Sequence, residues 1–370
     1  MDAYLLPPPI NTSPGPEFAD EARVWQGIPS IERGPDGRLW AAWYSGGVTE
    51  NRDNYVMLYT SGDNADTWQL VLIIDPDGPG IARAYDPCPW LDPEGRLWLF
   101  WGQGNENHTE PDKGVWAIVT DEPDSASPAW SKPRRLGDGV MMNKPVVTSS
   151  DNWLISSALW HAEDSCRVLA SNDQGKTWER IGAASIPDPK ERNCDEHMIV
   201  ERTDGSLWML VRTTYGIGES ISADQGRTWS PVAPTAIQNP ASRFYIARLQ
   251  SGRLLLVKNG PVAERTNRRQ ITAVLSEDDG ESWIGGLVLD PRGPGTGSGD
   301  GSVSYPDATQ SPDGTIHCIH DFDRSGDKEI LYSRFTEKDI LVGKPVADGT
   351  ILSRVLNRAT GLNPTLKPKA

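Results

Sequence analysis

Apolar residues along the chain fall into pairs of short runs, each pair folded about a corner of turn-forming residues. GPDGRLWAAW (34–43), DPEGRLWLFW (92–101), SSDNWLISSALW (149–160), RTDGSLWMLV (202–211), LQSGRLLLVK (249–258) and SPDGTIHCIH (311–320) are six versions of one such pair. The corner positions are Gly37, Gly95, Asn152, Gly205, Gly252 and Gly314, which recur every 47 to 62 residues. Glycine or asparagine there supplies the positive φ that a tight hairpin needs. Each hairpin is followed by two more polar runs, so every unit predicts four antiparallel strands, the size of a propeller blade. Six units predict an all-β, six-bladed β-propeller occupying residues 1–370 as a single domain. The N-terminal segment is expected to supply the outer strand of the sixth blade and so close the ring.

A second pattern marks the blades independently. SGDNADTW (61–68), SNDQGKTW (171–178), SADQGRTW (222–229) and SEDDGESW (276–283) follow the third strand of blades one, three, four and five. TDEPDSASPAWS (120–131) stands at the same place in blade two as a degraded copy. An Asp or Ser side chain in such a turn accepts backbone N–H groups while the Trp packs between strands. Four copies on four blades cannot meet at one substrate, so Asp63, Asp173, Asp224 and Asp278 read as scaffold.

Composition narrows the function. Apolar residues at 37% with 36 glycines suit a globular core, and 15 tryptophans with 30 prolines suit short strands and turns. A net charge of −15 opposes nucleic acid or an anionic membrane as partner. No run reaches the roughly 20 apolar residues of a membrane span. MDAYLLPPPI carries no basic start or apolar signal core, so no secretion signal is visible; the chain reads as cytoplasmic as it stands and as periplasmic or secreted if a leader has been removed, which leaves the compartment open. The four cysteines lie far apart and read as isolated buried thiols. No spacing suggests a metal or cofactor site; HCIH (317–320) straddles two faces of a strand.

A propeller's pocket lies on its axis, where the six innermost strands begin. Polar residues bunch at the front of those segments: Gln26 in WQGIPSIE, Arg83, Tyr85 and Asp86 in RAYDPCPW, Asn143 and Lys144 in MNKPVV, Glu196 and His197 in CDEHMIVE, Arg243 in SRFYIARL, Tyr305 and Asp307 in SVSYPDA. Arg212 ends the second strand of blade four and Arg269 opens a strand of blade five. Arginine grips a carboxylate through two parallel hydrogen bonds. The glycine-rich DPRGPGTGSGDGS (290–302) reads as a mobile loop overhanging the pocket, able to act as a lid.

The four tryptophan-ended copies resemble the Asp-boxes, or BNR repeats, of the sialidase-like superfamily, over roughly residues 20 to 340. CDEHMIVERTDGSLWMLVR is similar to the blade-four element of exo-sialidases, which implies Glu196 as a base and Arg212 as a carboxylate-binding arginine. RQITAVLSEDDG likewise points to Arg269, SYPDA to Tyr305 as nucleophile, and DPCP to an N-P-C-P element containing Asp86. The acid/base of that family precedes the third strand of blade one, where VTENRDNYVML offers Glu50 or Asp53. The family places an arginine directly before I-P in blade one; here Gly27 stands there, beside Gln26, with Arg83 or Arg243 as substitutes from neighbouring blades.

The resemblance implies a glycoside hydrolase that removes a non-reducing-end sugar, sialic acid or another sugar. A tyrosine nucleophile suits an anomeric carbon that bears a carboxylate, because it approaches uncharged. Two alternatives stand beside it. One is a lyase or atypical glycosidase on uronate-containing glycans with His197 or Tyr305 as base; the other is a carbohydrate-binding propeller without catalysis. Each takes a glycan or oligosaccharide as partner.

Overall fold

The computed structural model describes residues 3–105, 113–141, 143–160, 162 and 164–362. Six antiparallel sheets form the blades of a propeller, each with four strands in chain order, to which blade one adds a fifth. The innermost strands are Gln26–Arg33, Arg83–Leu91, Val146–Val147, Arg192–Glu201, Tyr245–Arg248 and Val303–Gln310. Met142, at the front of the third segment, lies outside the described residues. All six corner motifs turn between the first and second strands of their blades, as the hairpin pattern predicts. The second strands are the most apolar, and Leu39–Ser45, Leu97–Gly104 and Leu207–Thr213 are buried along their whole length. Aromatic rings fill the wedges between blades: Trp90 meets Trp153 edge-on with centroids 5.0 Å apart, and Trp98 stacks on Phe100.

The ring closes differently from the expectation. The outer strand of blade six is Ile351–Arg358, near the C-terminus, which pairs with Glu329–Phe335. The N-terminal strand Ile10–Asn11 instead pairs with Ile73–Ile74 and adds a fifth strand to blade one. The C-terminal strand satisfies the edge of blade six, so the N-terminal segment has no ladder to join there. It fastens blade six by other means: Asp20 O and Arg23 O accept the amides of Thr360 and Gly361, and Arg23 Nη2 donates to Asn357 Oδ1 at 3.0 Å. Arg23 is fully buried, so this clasp is a polar plug rather than a strand.

The repeated acids are scaffold, as their repetition implies. Asp224 accepts from the Thr228 hydroxyl at 2.6 Å and the Thr228 amide at 2.8 Å, while Ser222 Oγ accepts the Gly226 amide. Asp173 repeats this with Thr177, Asp63 with Thr67 and Asp278 with Ser282. These bonds, led by the threonine hydroxyl, hold the carboxyls of Asp173 and Asp224 down at about 2. A depressed folded-state value stabilises the fold above the unfolded-state value of about 3.9 and is lost as pH falls towards 2. We therefore expect Asp224→Ala to lower Tm at pH 7 while kcat/KM is unchanged, and to lower it much less at pH 2.5. Thermal melts at the two pH values, with a turnover assay, check this; a loss of turnover in the still-folded variant would contradict the scaffold role.

All four cysteines are free; Cys88, Cys166 and Cys318 are buried and Cys194 is half-buried. Among the described residues no helix is long and apolar enough to cross a membrane.

Candidate active site

A cavity of about 250 Å³ opens on the propeller axis, lined by Ile28, Glu50, Asp86, Trp160, Cys194, Glu196, Arg212, Arg268, Tyr305 and Arg324. Its position follows from a defect shared by four innermost strands. The ladder to the second strand slips between Gly27 and Ser30, Tyr85 and Cys88, Arg192 and His197, and Ser304 and Asp307. In each slip a non-glycine residue takes a left-handed φ: Ile28 at 60°, Asp86 at 50°, Asp195 at 49° and Tyr305 at 55°. Three of these precede a proline (Pro29, Pro87, Pro306), which removes the amide that regular pairing would use. A bulge re-aims side chains out of the pleat, and strained backbone of this kind gathers at functional sites. The strain here turns Ile28, Asp86 and Tyr305 onto one axis.

The floor is a hydrogen-bonded triangle. Tyr305 Oη donates to Glu196 Oε1 at 3.2 Å, and Arg212 Nη1 donates to Tyr305 Oη at 2.9 Å. Arg212 also pairs with Glu196 Oε1. Glu196 Oε2 is buried without a hydrogen-bond partner. Burial pushes the Tyr305 phenol up to about 12, with Arg212, Arg268 and Arg324 pulling the other way. The phenol is therefore neutral near pH 7 and needs a base to become a nucleophile. Burial first, then Glu50 and Glu196, push the Asp86 carboxyl up to about 7. Asp86 Oδ1 is also buried without a hydrogen-bond partner, on the lining of the cavity.

Guanidinium groups ring the tyrosine. Arg324 lies 4.4 Å from the ring centroid, and Arg268 and Arg243 each 5.5 Å. Arg324 donates to Asp321 Oδ2 at 3.0 Å, Ser304 Oγ at 3.2 Å and Glu50 Oε1 at 2.8 Å. Arg243 is buried beneath, donating to Pro29 O at 2.8 Å, and so buttresses the bulge rather than facing the cavity.

Several predicted site residues lie elsewhere. Arg269 is exposed and its carbonyl accepts from Thr266 Oγ1; its neighbour Arg268 lines the cavity. Left-handed φ values at Arg268 (44°) and Gln270 (57°) twist the chain before the strand begins at Ile271, which shifts the inward side chain by one. Asp53 is exposed beside Asn51 and Arg52, so of the two loop carboxylates only Glu50 reaches the cavity. Gln26 is fully buried in the closing plug, accepting from Trp43 Nε1 at 3.0 Å and donating to Lys328 O. Lys144 and Asp307 form an axial lock below the cavity. Asp307 Oδ2 accepts from Ser30 Oγ, the Ile31 amide and Lys144 Nζ at 2.5, 2.8 and 2.9 Å. Burial opposes the Lys144 charge, but Asp307 and Glu32 more than offset it and raise its pKa.

His197 is buried with its ring nitrogens on Asp195 O and Arg167 O, and Asn143 Nδ2 donates to His197 O. Burial holds that imidazole below its usual range. Arg83 sits 4.2 Å from the Tyr85 ring centroid, behind the cavity wall. The loop 290–302 is stapled down: Gly299 N donates to Asp323 Oδ2 at 2.6 Å and Ser298 Oγ to Asp327 Oδ1 at 2.7 Å. It contributes no residue to the cavity lining and braces the segment that carries Arg324.

Comparisons with known proteins agree with this architecture. The family model described as a BNR repeat-like domain matches residues 37–318. A sialidase of Micromonospora viridifaciens is 25% identical over 336 residues, covering 80% of this chain and 49% of that protein. The chain thus spans about half the length of that relative. Among solved structures, a K499G mutant of the NanB sialidase from Streptococcus pneumoniae aligns with a TM-score of 0.66 at 15% identity, over 90% of this chain and 71% of that one. The intramolecular trans-sialidase of Ruminococcus gnavus, in complex with oseltamivir carboxylate, aligns with a TM-score of 0.65 at 16% identity, over 89% and 98%. A protein of unknown function from Dyadobacter fermentans gives 0.65 at 16% identity, over 84% and 94%. At these identities the structural likeness speaks for the fold.

Proposed function

The chain belongs to the BNR repeat-like domain family, within the sialidase-like superfamily, and on that footing we propose that it is a glycoside hydrolase removing an acidic sugar from the non-reducing end of a glycan. Sialic acid or a related sugar acid is the substrate class. The observation that carries this reading is the Tyr305–Glu196–Arg212 triangle at the floor of a cavity lined by three guanidinium groups.

In the proposed reaction Arg212, Arg268 and Arg324 receive the sugar carboxylate. Glu196 Oε1 takes the phenolic proton as Tyr305 Oη bonds to the anomeric carbon. The glycosidic C–O bond breaks, and the departing oxygen receives a proton from Glu50. Water, deprotonated by Glu50, then attacks the anomeric carbon; the tyrosyl bond breaks and the proton on Glu196 returns to Tyr305. Two displacements retain the anomeric configuration. Asp86 stands by as a hydrogen-bonding partner for a ring hydroxyl. His197 is buried and does not line the cavity, which speaks against this residue as a lyase base.

Aryl glycosides of sialic acid, uronic acids and neutral sugars test the assignment. We expect turnover of an acidic aryl glycoside with release of a saturated sugar. An unsaturated, ultraviolet-absorbing product would favour the lyase, and glycan binding without turnover the non-catalytic propeller.

A further inference from the structure

Arg324 reaches the cavity from outside the innermost strands. It stands after the second strand of blade six, Ile316–Phe322, and its side chain crosses over Gly27 of blade one. A Cβ on residue 27 would lie 2.5 Å from Arg324 Cδ and 2.8 Å from Cγ. The guanidinium therefore has its course because residue 27 has no side chain. Two kinds of carboxylate hold it. Asp321 is fully buried and also accepts the Ile28 amide at 2.8 Å and the Ser304 hydroxyl at 3.0 Å, so that contact is part of the frame. Glu50, by contrast, has a side chain 40% exposed and lies on the loop between Ser45 and Tyr55. The loop backbone is braced: Asn54 Nδ2 donates to Gly46 O at 2.7 Å and to Thr49 O at 2.9 Å. Only the Glu50 side chain has to turn for the contact to break.

We infer that Glu50 is an internal stand-in for the substrate's acid, occupying Arg324 until the carboxylate of an acidic sugar displaces it. The inference rests on the acidic-sugar reading above and adds a coupling to it. A carboxylate that pairs with Arg324 removes the partner of Glu50; the released, partly exposed Glu50 carboxylate then takes up a proton from water and can deliver it to the leaving oxygen. A neutral sugar has nothing to exchange for Glu50, so it leaves the acid group tied down. One ion pair thereby links recognition of the substrate's charge to readiness of the acid, and residue 27 sets the route by which the cation arrives.

Calorimetric titration with free N-acetylneuraminic acid, glucuronic acid and their methyl esters tests this. Glu50→Gln removes the internal competitor, so the sugar acid that binds should bind about 2- to 5-fold more tightly, the span of a partly exposed ion pair. The methyl esters, having no charge to exchange, should show no such gain. Asp53→Asn removes an equal charge from the same loop without touching Arg324 and should leave both affinities unchanged. Gly27→Ala should weaken binding of the acid by pushing Arg324 aside. An acid that binds the wild type but gains nothing from Glu50→Gln overturns the inference alone. An equal gain from Asp53→Asn overturns it too, since the effect is then general charge. Failure of every sugar acid to bind overturns the acidic-sugar reading together with the inference.

Discussion

Tyr305→Phe is expected to lower kcat by about 10³-fold or more while the protein folds normally and still binds its substrate. The change removes one oxygen and keeps the ring that Arg324, Arg268 and Arg243 surround. That oxygen is the only group of Tyr305 placed between Glu196 and Arg212. In the proposed reaction the neutral phenol gives its proton to Glu196, so Glu196→Gln should fall in parallel, and the double variant should be little worse than either single one. Steady-state kinetics on the aryl glycoside identified by screening, with ligand binding measured alongside, check this. Turnover within about tenfold of wild type in Tyr305→Phe would remove the nucleophile assignment and leave the cavity as a binding site.

The second large effect concerns stability as well as chemistry. Arg212 and Glu196 are a buried pair, with side chains 7% and 3% exposed. Removing one member of such a pair leaves a charge without compensation, typically costing about 3–5 kcal/mol. Arg212→Ala should therefore unfold at markedly lower denaturant concentration and lose turnover together. Arg212→Met combined with Glu196→Gln removes both charges and should recover most of the stability, because a buried pair contributes little beyond an apolar replacement. It should recover none of the turnover. Urea unfolding curves for the single and double variants separate the two roles; a single variant as stable as the wild type would mean that water reaches Glu196 freely.

Tyr305, Glu196 and Arg212 were legible in the sequence because the hairpin repeat counts residues along each blade. These positions stand where inner strands begin or second strands end, next to the axis. Arg268 was missed by one position, since two left-handed residues precede the strand and periodicity carries no trace of them. Arg324 was missed because it stands beyond the second strand of blade six, where no regular spacing applies, and its route depends on a glycine about 300 residues earlier. The polar residues that lie outside the cavity lining, Gln26, Asn143, Lys144, His197 and Asp307, share the strand starts with the cavity residues. Strand bulges decide which of two neighbours faces the cavity and which turns down into the axial lock. The X-Pro pairs at 28–29, 86–87 and 305–306 were the visible sign of those bulges.

Hairpin corners, Asp-box turns and apolar second strands are short-range features, each set by neighbours within about ten residues, and the sequence alone determined them. From these followed the six blades, their order and the scaffold role of the repeated acids. Ring closure, the cation ring around Tyr305 and which of Glu50 and Asp53 lines the cavity were decided only in the tertiary structure. These depend on where six separate strand ends converge, and on how blade one meets blade six. Guanidinium groups reach several ångströms from their backbone, so their partners are chosen by the space left between blades, which no local pattern encodes.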